Sequence, residues 1–392
     1  MAIVERRKNV RTRTRARTRL ATGAAAVGAV GAAVILTTAS GVLAGAASPP
    51  GEFLSSLHKP VQIASTVPPD GDVNPYGVTV VSQSIGRLVK GETLVSNFND
   101  KANVQGTGST IEEIAPHGTR STFAHLTSLP PADSCPGGIG LSTALSILPG
   151  GYVVVGSIPS GPGGALPSQN PAGCLIVLNS AGAPVETWSN PDIDGPWDMT
   201  TSLTSGGAEI FLSNVLSGSA NGTTTTSSGL CTVVRIDVAL PTGGAPEMTG
   251  TTVIGSALPW RADKAAFVLG PTGAALSEQG TLYVAETLTN QIIAIPQAPT
   301  RTTPVVYGTS TLTSRHYLNA PLGLMLAPDG DLIAVNGNDG NAVEITPQGR
   351  QIARHTLVPK GAGDLFGLTL TPNGRSVLFV NDGTNALDLA KG

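Results

Sequence analysis

The sequence predicts an all-β chain folded as a six-bladed β-propeller of four-stranded antiparallel blades. Three observations lead there. A three-strand pattern recurs six times along the body of the chain, and self-similarity of this kind marks repeat architectures. The second strand of each copy is apolar on both faces, as in Val377-Leu378-Phe379-Val380. A strand with one wet face would alternate instead, so burial between two neighbouring blades is implied. Finally, Gly 49 and Pro 30 of 392 residues supply abundant turns and disfavour long helices.

The copies open on a bulky residue followed by a glycine or its substitute: Tyr76-Gly77, Ile139-Gly140, Trp197-Asp198, Thr272-Gly273, Leu322-Gly323 and Phe366-Gly367. The last three are the clearest. Pro328-Asp329-Gly330 and Pro372-Asn373-Gly374 are tight-turn sequences that join the first strand to the second. The final copy ends near Leu389 after only three strands. The lone strand Pro60–Val67 ahead of the first copy is therefore expected to complete the last blade and lock the ring.

The amino terminus reads separately. Residues 1–20 carry eight basic residues and one acid, and the uncharged stretch Leu20–Leu43 follows, rich in Ala, Gly and Val. Ala44-Gly45-Ala46 then offers a small-residue cleavage site. Residues 1–47 are read as an export signal or, if uncleaved, an amino-terminal membrane anchor. Residues 48–59 form a linker and 60–392 the propeller. Without residues 1–20 the net charge of −3 becomes −10. That acidic body disfavours nucleic acid as a partner, because phosphate binding needs a basic face. An exported bacterial protein is expected, in periplasm, cell envelope or medium, with membrane contact only through an uncleaved leader.

The stretch Asn74-Pro75-Tyr76-Gly77, with Val95-Ser96-Asn97-Phe98-Asn99 and Gln105-Gly106-Thr107-Gly108-Ser109-Thr110-Ile111, resembles a group of exported NHL-like bacterial propellers. The likeness covers about residues 60–392. It speaks for fold rather than activity, since propellers host many functions.

Strand direction places the loops leading into first strands on the same face as the loops between second and third strands. We call this face the top. Its candidate ligand-binding residues are Asn74, Tyr76, Trp197, Asp198, Trp260, Arg261, Asp263, Arg315, His316, Asn319, Asp364 and Phe366. Such aromatic and charged groups, converging on one mouth, suit a protein, peptide or glycan ligand. Two long loops, Ser157–Gly173 and Asn214–Leu230, are expected on the same face.

No catalytic set emerges. Propellers resembling sugar-lactone hydrolases hold a divalent metal with Glu, Asn and Asp around the channel. Here the position before each inner-strand glycine holds Tyr76, Ile139, Trp197, Thr272, Leu322 and Phe366, none of them a carboxylate or amide. A shift in blade three would bring Asp198 inward. Asp70-Gly71-Asp72-Val73-Asn74 opens like a calcium loop but has Pro75 where that loop needs Gly, so it reads as a turn. The histidines lack paired metal spacing, and there is no nucleophile elbow. Glu112-Glu113 is expected at a solvated edge. The expectation is a monomeric binding scaffold without metal or cofactor. A lactonase-like hydrolase or lyase with a reorganised site is the alternative. Of Cys135, Cys174 and Cys231, the first two form the favoured disulfide, and Cys174–Cys231 is the alternative.

Overall fold

The computed structural model describes residues 52–130, 135–158, 160, 172–216, 228–263 and 266–392. The leader and most of both long loops lie outside the described residues. Six antiparallel sheets follow one another along the chain. Their inner strands are Val73–Val80, Leu141–Leu148, Gly195–Thr204, Pro271–Leu276, Pro321–Leu326 and Leu365–Leu370. Each inner strand contacts the next, and the last contacts the first. The six sheets therefore close into a six-bladed β-propeller.

Closure is as expected. Val61–Ser65 pairs antiparallel with Ala386–Ala390, joining Val61 to Leu389 and Ser65 to Ala386. The ring is thus sealed by hydrogen bonds between distant parts of the chain. The second strands Thr93–Asn99, Leu282–Glu286, Leu332–Asn336 and Val377–Asn381 are buried along their whole length. This is the sandwiching between blades that the doubly apolar pattern required.

The inner-strand glycines have a steric cause. A Cβ on Gly323 would lie 2.2 Å from the carbonyl oxygen of Phe366, and one on Gly367 would lie 2.2 Å from that of Tyr76. Adjacent inner strands approach too closely there for any side chain. The glycines also sit in bulges: register slips between Pro321 and Leu324, and between Leu365 and Leu368. A bulge turns the strand and re-aims its side chains near the axis.

Three expectations need correction. Blade two does not open at Ile139-Gly140; its strand begins at Leu141, and the slip falls between Leu141 and Leu145. Gly140 instead precedes the strand, donating its N–H to Ser157 Oγ at 3.0 Å. Blade three has its four antiparallel strands and adds two short ones, because its outer strand Glu247–Asp263 turns back to pair with Phe267–Leu269 and also takes Val305–Val306 in parallel. Trp260, Arg261 and Asp263 therefore stand on a strand rather than a loop. Glu112 and Glu113 are not solvated but buried, at 0% and 3% exposure. Arg120 offsets the Glu112 charge at 2.5 Å, and Glu113 Oε1 accepts the Val89 N–H.

Candidate ligand site

The first strands bring their leading residues to one mouth, where a cavity of about 440 Å³ opens. Its inner wall is aromatic. Tyr76 and Phe366 stack with centroids 4.4 Å apart, and Trp197 meets the edge of Tyr76 at 5.7 Å. Phe98 packs against Trp197 at 6.0 Å. The Trp197 indole N–H donates to the Tyr76 hydroxyl at 2.9 Å. That bond satisfies two polar groups within an apolar cluster and fixes both rings.

The rim is polar. Arg261 and Asp263, on the extended outer strand of blade three, face each other at 3.8 Å. Asn74 of blade one also lines the cavity; it lies in the left-handed region, φ 58, and its N–H donates to Asn385 Oδ1 at 2.7 Å. Asp382 completes the rim from the short 3-10 turn Asp382–Thr384 of blade six. Burial pushes its carboxyl up to about 6, and the nearby Asp364 charge adds to the effect.

Six expected residues thus line one cavity: Asn74, Tyr76, Trp197, Arg261, Asp263 and Phe366. The others do not. Trp260 belongs to the same buried cluster as the aromatic wall but does not border the cavity. Arg315 and His316 are exposed, and His316 lies over Tyr317 at 3.8 Å. Asn319 is tied down, its N–H to Asn336 Oδ1 and its amide to Asp339. Asp364 stands behind Asp382, whose N–H its carbonyl accepts at 2.9 Å.

Asp198 is a separate matter. It occupies the register position that Gly77 holds in blade one, since both backbone N–H groups donate to a serine on the second strand, Ser213 and Ser96. Its side chain does turn inward, into a narrow space of about 80 Å³ along the ring axis, below the mouth. Tyr76 and Leu322 border both spaces. Asp198 Oδ2 accepts the Ala274 N–H of blade four at 3.0 Å. It lies deep in the protein while keeping partial contact with the channel. Desolvation pushes its carboxyl up to about 7, against the lowering effect of the Ala274 and Met199 N–H groups.

Sequence reasoning missed Phe98, Thr287, Asn338 and Asp382 as lining residues. All follow or end second strands, where Asn97, Asn214, Asn336 and Asn381 also recur. These asparagines tie neighbouring loops and strands: Asn97 Nδ2 donates to the Thr66 carbonyl, and Asn214 Oδ1 accepts the Asp194 and Gly195 N–H groups. The offset of one residue from each asparagine was the available signal for Phe98 and Asp382.

The calcium-loop imitation is a structural turn. Asp72 Oδ2 accepts hydrogen bonds from the Ser109 N–H and from the Ser109 and Thr110 hydroxyls. Cys135 and Cys174 are bonded, with Cα atoms 5.3 Å apart, while Cys231 is buried outside the disulfide. The bond anchors the start of the third strand of blade two to the segment leading into that blade.

Fold and mouth together define a six-bladed β-propeller with a cavity at the end of its axis. No family model matches the chain, and no curated protein does. Among solved structures, the calcium-binding protein regucalcin from Agrobacterium tumefaciens is similar, with a TM-score of 0.51 and 12% identity over 84% of this chain and 94% of that one. A streptogramin B lyase matches with a TM-score of 0.50 and 14% identity over 86% and 98%. The PQQ-bound aldose sugar dehydrogenase from Streptomyces coelicolor matches with a TM-score of 0.50 and 13% identity over 85% and 97%. At such identities the likeness concerns the fold.

Proposed function

We propose that this chain is an exported, NHL-like binding propeller that takes part of a peptide, protein or glycan ligand into its top cavity. The observation that carries the reading is the aromatic wall beneath a polar rim. Phe366 offers rigid apolar surface at little entropic cost, backed by the buried rings of Tyr76, Phe98 and Trp197, while Arg261, Asp263 and Asp382 provide charged groups for orientation. The size of the space suits one bulky side chain or a short glycan. Asp198 borders the narrow channel and not this cavity, so it is not part of the proposed ligand contact.

The protein would act as a monomer, since the closed ring buries its own core. The cationic leader would direct export.

The test is a binding screen of the purified protein against peptide and glycan collections, read by Trp fluorescence and calorimetry. A hit should lose at least about tenfold in affinity on Phe366→Ala, as expected of an aromatic anchor. Hits insensitive to both Phe366→Ala and Arg261→Ala would overturn the reading.

One observation favours the alternative of a lactonase-like hydrolase or lyase. Asp382 faces the cavity with its carboxyl up at about 6, a range suited to proton transfer near neutral pH. Turnover of lactones or esters by the purified protein, lost on Asp382→Asn, would establish that reading over the first.

A further inference from the structure

The face opposite the mouth carries a second gathering of carboxylates, unrelated to the cavity. Asp329 and Asp331 lie in and after the Pro328-Asp329-Gly330 turn of blade five, and Glu344 stands on the adjacent strand Asn341–Ile345. Oxygen atoms from all three come within 4.8 Å of one another. Asp331 is 7% exposed and Glu344 is 0% exposed.

Hydrogen bonding leaves part of this set unsatisfied. Glu344 Oε2 accepts the Leu54 N–H at 3.0 Å, and Asp329 Oδ1 accepts the Asp331 N–H at 3.1 Å. Asp331 Oδ2 and Glu344 Oε1 are buried with no hydrogen-bond partner. Among the described residues, no Lys, Arg or His comes within ion-pair distance of any of the three, and Arg350 acts on Asp331 only from farther away. Buried carboxylate oxygens without partners are costly unless protonated or bound to a cation.

We propose that Asp329, Asp331 and Glu344 bind one calcium ion at the bottom of blade five. The chemistry fits a hard cation, since all donors are carboxylate oxygens. So does the spacing. Calcium–oxygen distances near 2.4 Å place opposite ligands of one ion about 4.8 Å apart, the limit within which these oxygens fall. Water completes the shell on the side of Asp329, the most exposed of the three.

The ion has a structural consequence. Glu344 also holds the short helix Glu52–Ser56 through the Leu54 N–H, and Leu54 and Leu57 pack against Met325 and Ile333. Calcium would fix the Glu344 carboxylate and so pin the segment before the ring-closing strand to blade five. This site is independent of the cavity and of its ligand.

The test uses the full chain stripped with a chelator, then titrated with calcium or magnesium chloride by calorimetry and thermal unfolding. One calcium ion per chain should bind, and saturating calcium should raise Tm by roughly 3–6 °C, as expected for a ligand specific to the native state. Asp331→Asn and Glu344→Gln should each weaken binding at least about tenfold. Should either fail to fold, Asp329→Asn at the more exposed position serves the same purpose. The absence of both heat and a Tm shift in the wild-type chain at millimolar calcium would overturn the proposal. So would binding unchanged in the variants, or magnesium binding as tightly as calcium.

Discussion

Blade three and blades four to six solve the crowding at the ring axis in opposite ways. In the latter, glycine leaves the inner strands free to meet backbone to backbone, with carbonyl oxygens 2.2–2.3 Å from any added Cβ. Blade three carries Asp198 at the corresponding place and spans the gap to blade four with a side chain, Oδ2 accepting the Ala274 N–H. The lesson is that the repeat fixes a backbone position, not a residue. A glycine satisfies that position by absence, whereas an aspartate satisfies it only by finding donors.

The largest losses are expected at the glycines. Gly323→Ala and Gly367→Ala push a methyl into a carbonyl that belongs to the next blade, and each should cost at least about 2–3 kcal/mol in chemical unfolding. Asp198→Gly would make blade three resemble its neighbours. If Asp198 were a mere lapse in the repeat, stability would rise. We expect a loss of about 1–3 kcal/mol instead, because the Ala274 N–H is left without its acceptor.

The pH dependence sharpens the same contrast. Asp198 is held up to about 7 in the folded chain and returns to the ordinary carboxylate range on unfolding. Between those values the native state holds the extra proton, so stability falls as pH rises from about 4 to about 7. Asp382, at about 6, contributes with the same sign over a narrower window. In Asp198→Asn the decline in Tm between pH 6 and 7 should largely disappear. A slope as steep as in the wild type would mean that Asp198 titrates normally. The smallest effect belongs to Tyr76→Phe, which removes the acceptor of the Trp197 N–H and should cost about 1 kcal/mol while retaining the ring stack.

Much of the ring was legible in the residues. Phe366-Gly367 and Leu322-Gly323 declared inner strands, the doubly apolar second strands declared burial on both sides, and the unpaired Pro60–Val67 declared how the ring closes. Blade two was misread because its slip is one residue longer, so that Gly140 imitates an opening it does not make. The candidate site was half legible. Tyr76, Trp197 and Phe366 occupy equivalent repeat positions and so converge wherever the ring brings those positions together. Trp260 is aromatic too but stands on an outer strand, and it does not reach the cavity.

The number of blades, the closing strand and the bulky Tyr76, Trp197, Leu322 and Phe366 at the mouth were readable in the residues, because they follow from local periodicity and turn chemistry. Which charged groups meet depends on the assembled ring. Asp382 reaches the cavity, Asp198 drops into the channel, and Glu344 joins Asp329 and Asp331 while accepting a hydrogen bond from the helix Glu52–Ser56. The physical reason is that a carboxylate's behaviour depends on the donors and solvent within a few ångströms, and these come from segments far apart in the chain.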